Sequence, residues 1–475
     1  MRSASPEIKI GIVYTPALEL LLESGRGLID ILEIEPQPWW MQDRKGAYHP
    51  ETAAFNRILS FSQPKIIHSV GLPVASSLGA EAAQWPALAR SIEAMEPLWI
   101  SEHLAFMRFR DRGKVFHSGF LLPPLQSSST IDIAVPNIQE FKSRFPLSFA
   151  FENVANYLRK APGEMEDGAF YAETARRADC HILLDLHNLW SNHLNGRQSF
   201  DDAIDALPAE RVLEIHLAGG DEMDGLWLDA HSGLVPPPLL ERLPDILCRF
   251  PNLRAVVFEI IPEYMEARSL STEQIGAQLE SIKKEIQKIK PEKKAEQSPT
   301  SRLAIHSGEE ILPAPETWEN ILGHLVNKRK PKQPVNLIED DPGIIMLQKL
   351  VGQIRAGMIV ELMKFSYRLM VLHLGEEKVI QLMHSFWQES FPKAFVPDEV
   401  RQFARYLKKQ KLNVPNLAEV IRYELAFITF LETGKIQKVR FSSDPIALLN
   451  ALSEGRLPQS LGAGDYVMEV SAPLE

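Results

Sequence analysis

Cysteine is almost absent from this chain: Cys180 and Cys248 are the two among 475 residues. That excludes a disulfide framework and fits a reducing compartment. Residues 1–10 show no basic start followed by an apolar run, so no signal peptide is expected. Long uncharged apolar runs are missing too. The most apolar long stretch, 343–374, contains Lys349, Arg355, Glu361 and Lys364, which suits an amphipathic helix and not a bilayer span. Positive charge is in deficit: 51 Lys and Arg against 62 Asp and Glu leave a net charge of −11. Such a balance repels a phosphate backbone. The expectation is therefore a cytoplasmic protein with no nucleic-acid partner and no membrane association. No G-x-G-x-x-G follows the first apolar run, which weakens a dinucleotide-binding fold.

What is present is alternation. Short apolar runs at 8–14, 30–35, 65–68, 98–101, 147–153, 181–186, 212–217 and 255–260 read as buried parallel strands. Helical stretches such as 85–95 and 201–207 lie between most of them. Eight such units in about 260 residues is the size of a (β/α)₈ TIM barrel. From about 282 the composition turns basic and polar, with Lys283, Lys284, Lys288, Lys290, Lys293 and Lys294, then a second cluster at 328–332. A solvated linker is expected there. Beyond Asp340 helix-period apolar positions run through 343–374, 376–390, 398–410 and 416–431, and the tail 436–470 suggests a strand pair. The expected domains are a barrel over 1–281, a linker over 282–339 and a mainly α-helical domain over 340–475. Phe386, Trp387, Phe391 and Phe395 are a candidate interface cluster on that domain.

The chemistry sits where the strands end. In order, the chain offers Glu33 and Glu35, His68, Glu102 and His103, Glu152 and Asn153, Asp185, His216, and Glu259, with Asp229-Ala230-His231 between the last two strands. Barrel active sites assemble at this rim from the ends of several strands. Buried carboxylates without neutralising Lys or Arg repel one another, and shared divalent cations resolve that. Four carboxylates and four imidazoles, His68, His103, Glu152, Asp185, His216, Asp229, His231 and Glu259, exceed one ion's shell and suit Fe, Mn or Zn over Ca or Mg. Asn188 is a further candidate ligand through its amide oxygen. His187, Asn153 and Glu33 are candidates for orienting ligands or facing substrate. Catalysis is expected to depend on Glu152, Asp185 and His216.

The segments His68-Ser-Val-Gly-Leu-Pro, Ser101-Glu-His-Leu-Ala, Glu152-Asn-Val-Ala-Asn, Leu184-Asp-Leu-His-Asn-Leu-Trp, Glu214-Ile-His-Leu-Ala-Gly-Gly, Asp229-Ala-His-Ser-Gly and Phe258-Glu-Ile together resemble the multinuclear non-haem iron-dependent oxidases, which include the iron enzyme of methanobactin biosynthesis. The resemblance implies a xylose-isomerase-like barrel, two or three Fe(2+)/Fe(3+) ions, O₂ as co-substrate, and oxidation of a ribosomally made precursor peptide, usually at cysteine. The chain departs from that pattern at Gly220, where members often carry His, and at His187, where many carry Asn. The segment 391–395 with 412–424 resembles the family's partner proteins, which implies a peptide-presenting domain fused in cis. Rival readings on the same barrel are a three-zinc endonuclease, which has His at the place of Asn188 and needs a basic surface, and a sugar isomerase, which needs a Lys or His base beside two metals.

Overall fold

Each of the eight apolar runs forms a strand, and the strands close into one parallel barrel. They are β1 (Lys9–Val13), β2 (Ile31–Ile34), β3 (Lys65–Ser69), β4 (Trp99–His103), β5 (Ser148–Glu152), β6 (His181–Asp185), β7 (Val212–Leu217) and β8 (Ala255–Phe258). Every strand pairs with its neighbours in the chain, and β1 pairs with β8 to close the ring. The structure is a computed structural model and describes residues 7–24, 27–43, 46–289, 312–332, 338 and 340–471.

Strand periodicity positions the site. Alternate residues of a strand face the same side. Ile31, Ile66, Trp99, Leu213, Ala255 and Val257 pack together as an apolar floor inside the barrel. Two residues further along several of the same strands stand Glu33, His68 and Glu259. The outward set, including Phe149, Phe151, Ile182, Leu184, Ile215 and Leu217, packs in the larger core that holds the surrounding helices. Hydrophobic burial therefore secures the barrel wall and floor, and leaves the C-terminal rim for polar groups.

After the barrel, α1 (Thr272–Gln287) begins with a capping box formed by Ser271 and Gln274. Among its described residues, the stretch 282–339 departs from the expected solvated linker. Within it, α2 (Pro315–Val326) buries Trp318, Ile321, Leu322 and Val326 against barrel loops. The Trp318–Ile321–Leu322 spacing is helical, and the Lys-rich neighbours at 328–332 obscured it. Lys290, Lys293 and Lys294 lie outside the described residues.

The helical region comprises α3 (Pro342–Leu362), α4 (Lys364–Leu374), α5 (Glu376–Glu389), α6 (Val396–Gln410), α7 (Leu417–Thr433) and α8 (Pro445–Ser453). An antiparallel pair, β9 (Gln437–Ser443) and β10 (Ala463–Val470), flanks α8. The single helix expected over 343–374 is two helices. The break falls at Met363, and the carboxylate of Glu424 accepts the backbone N–H of Phe365 at 2.7 Å and of Ser366 at 3.2 Å, capping the new helix. α3 is the one helix among the described residues long and apolar enough to cross a membrane. Its apolar surface is divided between two packed clusters: Ile344, Met346, Leu347 and Val351 join the barrel loops, and Ile359 joins the helical core. Two of the four interface aromatics expected here join the helical region to the barrel. Phe391 packs 4.4 Å from Phe116, and Phe395 packs 4.7 Å from Tyr48. Phe386 instead belongs to the helical core.

Candidate metal centre

The rim residues converge in one continuous row. His68 Nε2 and His103 Nε2 each lie 3.0 Å from Glu152 Oε2. His216 Nδ1 lies 3.5 Å from Glu152 Oε1 and 3.4 Å from Glu259 Oε2. His231 Nδ1 is 2.9 Å from Glu259 Oε1, and its Nε2 is 2.7 Å from Asp229 Oδ1 and 3.9 Å from Asp185 Oδ2. Three overlapping donor sets run along the row: His68, His103 and Glu152; Glu152, Asp185 and His216; Asp185, His231 and Glu259; a fourth, Glu33, Glu214 and His216, lies behind it. Glu152 and Asp185 each belong to two of them. The middle is closed, with Asp185 and His216 fully buried, whereas the side chains of His103, His231 and Glu259 are 15% exposed. Solvent therefore reaches the row at its two ends.

The fit to metal ions rests on orphaned atoms. Glu152 Oε2, Asp185 Oδ2, Asp229 Oδ1, His216 Nδ1 and His231 Nε2 are buried and lack a hydrogen-bond partner, although Asp229 Oδ1 lies 2.7 Å from His231 Nε2 and Glu152 Oε2 lies 3.0 Å from His68 Nε2. Unpaired buried polar atoms cost roughly 1–3 kcal/mol each, so a cluster of them marks a site completed by something else. Imidazole mixed with carboxylate suits iron, manganese or zinc.

Behind the row, the outer nitrogens are fixed. His68 Nδ1 meets Ser101 Oγ at 2.8 Å, and His216 Nε2 meets Glu33 Oε2 at 3.1 Å. Glu214 stands 3.8 Å from His216 Nε2 and accepts the indole N–H of Trp99 at 2.8 Å. Partners of this kind set ring orientation and ligand basicity. Ser101 and Glu214 were missed from sequence. The available signal was spacing, since Glu214-x-His216 and Ser101-x-His103 put both residues on one strand face.

Asp185 ends β6 and caps the following helix, Leu186–Leu194, by accepting the N–H of Asn188 at 2.8 Å. Asn153 clamps Asp185 from both sides: its Nδ2 donates to the Asp185 carbonyl at 3.0 Å and its Oδ1 accepts the Asp185 N–H at 2.9 Å. The Asn153 amide is thus engaged in positioning Asp185. Asn188 Nδ2 donates to the Asn153 carbonyl, which leaves Asn188 Oδ1 buried and unpartnered. His187 meets the Leu228 carbonyl at 3.3 Å through Nε2, its Nδ1 is unpartnered, and its ring centre is 6.2 Å from that of His231. The two departures from the family pattern meet here. A Cβ on Gly220 would fall 2.5 Å from Trp227 Nε1 and 2.6 Å from both His187 Cε1 and the Leu228 carbonyl oxygen, so Trp227, His187 and the Leu228 backbone together fill the space a side chain at 220 would need.

Protonation in the ion-free row is divided by burial and mutual charge. Burial pushes Asp185 well above the usual carboxylate range, and Asp229 and Glu152 add to it. Burial likewise raises Glu33. Burial works against ionisation of Glu152, but the charges of His103 and His68 outweigh it and hold that carboxyl well below its ordinary value. His216 and His231 are raised well above theirs: burial opposes this, and Glu33 and Glu152 for the first, Asp229 and Glu259 for the second, prevail. Against the same burial cost, Glu152 and Glu102 bring His103 up to about 9. Without ions, the row holds protons where the ions would sit.

A family model described as the RiPP precursor modification enzyme MbnB/TglH/ChrH matches residues 9–284. Curated relatives carry the name UPF0276 protein. One from Streptomyces avermitilis is 31% identical over 185 residues, 38% of this chain and 38% of its own length. One from Chromobacterium violaceum is 28% identical over 208 residues, 43% of this chain and 74% of its own. One from Caulobacter vibrioides is 28% identical over 247 residues, 51% and 83%. Among solved structures, D-psicose 3-epimerase from Clostridium cellulolyticum is similar at a TM-score of 0.39 and 12% identity, over 60% of this chain and 100% of that one. Endonuclease IV from Thermus thermophilus is similar at 0.34 and 18%, over 57% and 99%.

Proposed function

The chain belongs to the MbnB/TglH/ChrH family of RiPP precursor modification enzymes, and on that premise we propose that it is a multinuclear iron-dependent oxidase that uses O₂ to modify a cysteine of a ribosomally synthesised precursor peptide. The observation that carries this reading is the row of orphaned donors, joined through Glu152 and Asp185, at the mouth of the barrel. His68, His103 and Glu152 would hold an ion at one end. Asp229, His231, Glu259 and Asp185 would hold one at the other, and His216 with Glu152 and Asp185 would hold the middle, with the Asn188 amide oxygen as a further donor. Iron bound there supplies redox chemistry with O₂ and positive charge that favours a substrate thiolate.

The chain's own residues do the rest. Glu33 and Glu214 orient His216, Ser101 orients His68, and Asn153 fixes the Asp185 backbone. The partly exposed His103, His231 and Glu259 define where the peptide reaches the row. The helical region, joined to the barrel through α2, α3 and Phe391, offers the peptide its surface in cis. The test is to reconstitute the full chain anaerobically with ferrous iron and expose it to O₂ with candidate cysteine-bearing precursor peptides, sought first among short reading frames beside its gene. A mass change confined to the cysteine, dependent on iron and O₂ and absent with zinc, is expected. Turnover with zinc, or none with iron, contradicts the proposal.

A further inference from the structure

The turn that carries Asp229 and His231 does not hold itself. His231 has a φ of +43°, a left-handed backbone conformation that residues other than glycine seldom adopt. External bonds fix it. The N–H of Ile261 donates to the His231 carbonyl at 2.9 Å, the N–H of Ser232 donates to the Gly219 carbonyl at 2.8 Å, and the N–H of Asp229 donates to the Tyr157 hydroxyl at 3.0 Å. Tyr157 is 4% exposed and packs in the cluster shared by barrel loops, α2 and α3, which also takes in Ala230.

Tyr157 is in turn gripped by the start of α3. A Cβ on Gly343 would fall 2.3 Å from the Tyr157 carbonyl oxygen, so the helix sits directly on that peptide unit. Asp341 accepts the Gly343 N–H at 2.9 Å, capping α3, and with its other oxygen accepts the Arg159 N–H at 2.8 Å, across 182 residues of chain. From the barrel side, buried Arg197 donates to the Leu158 carbonyl at 3.0 Å while paired with Asp167 and Glu164. The segment from Tyr157 to Arg159 is thus fixed from both faces.

We propose that Tyr157 is a positioning residue for the Asp229–His231 end of the row, set by the N-terminus of α3, so that the helical region governs how tightly that end holds its ion. The proposal rests on reading Asp229 and His231 as ligands. Partners that orient metal ligands typically affect affinity by about 10- to 100-fold.

The test titrates the full chain with ⁵⁷Fe(II) under anaerobic conditions and follows each ion by Mössbauer spectroscopy. Asp229→Ala is expected to lose one ion. Tyr157→Phe, which removes only the hydroxyl, is expected to hold that same ion about tenfold more weakly, with the signals of the other ions unchanged. Gly343→Ala should shift it in the same direction. Leu382→Ala, in the helical core away from Tyr157, should lower the Tm and leave iron affinity intact. If Asp229→Ala loses an ion while Tyr157→Phe binds all ions at wild-type affinity, the positioning role is overturned. If Asp229→Ala keeps every ion, the ligand reading fails and the inference falls with it.

Discussion

The molecule buries charge in two contrasting ways. In the helical region, Arg355 is 1% exposed, donates to Glu399 at 2.7 Å and to the carbonyl and hydroxyl oxygens of Ser390 at 3.1 and 3.2 Å, and Glu399 also accepts the Lys393 N–H at 3.0 Å. In the barrel mouth, Glu152, Asp185, Asp229, His216 and His231 have buried donor atoms left unpaired. A satisfied buried pair specifies packing, whereas an unsatisfied cluster is shaped around a partner that folding alone does not supply. The two sites should therefore respond in opposite ways to mutation.

The largest effects are expected at the row. Glu152→Ala or Asp185→Ala should abolish peptide modification and remove at least one ion. Ion-free Asp185→Ala should keep its stability within ~1 kcal/mol, because relief of repulsion from Asp229 and Glu152 offsets the lost contacts. Ion-free Glu152→Ala should be less stable, because His68 and His103 lose the carboxylate that balances them. Metal analysis and urea unfolding of the ion-free variants check both halves. A full ion complement in either variant would break the comparison. At the other site the pattern reverses: Arg355→Met leaves Glu399 buried without its partner and should cost about 3–5 kcal/mol of stability, with the folded fraction still binding its ions.

A pH effect separates the sites further. His216, His231 and His103 are held protonated in the ion-free row, and His103 is raised to about 9. Binding iron requires their lone pairs, so protons must leave. Affinity should rise with pH across the neutral range, by about tenfold per pH unit for each proton released. Proton uptake, or no change, in weakly buffered calorimetry would contradict the assignment.

A smaller effect belongs to Glu424. Burial pushes its carboxyl up to about 8, against the stabilising bonds from Ser366 and Phe365. The folded state then binds a proton that the unfolded state has released, so stability falls as pH rises from the ordinary carboxylate pKa toward 8, by at most about 1.4 kcal/mol per unit. Glu424→Gln should flatten that slope in urea titrations, and an unchanged slope would place its origin elsewhere.

The contrast also explains what was legible beforehand. Parallel strands deliver their last inward residues to a common rim, so a list of strand ends already contained His68, His103, Glu152, Asp185, His216 and Glu259. All of these come together in the structure. Glu214 escaped notice because it sits below the rim, mid-strand, where a buried acid shows its purpose only beside His216 and Trp99. Tyr157 carries no local signal in the sequence, because its hydroxyl meets the Asp229 N–H, far along the chain. The break at Met363 was invisible because its cap, Glu424, lies 59 residues from Phe365. Local pattern reports periodicity and strand ends; long-range hydrogen bonds leave no local trace.

The central claim is that the unpaired row is a multinuclear iron site. Crystals of the full chain loaded with ferrous iron under anaerobic conditions, measured on both sides of the iron absorption edge, test it directly. Two or three anomalous peaks along the row, with Glu152 or Asp185 between neighbouring peaks, are the expected result. A single peak, no peak, or peaks away from these residues would contradict it.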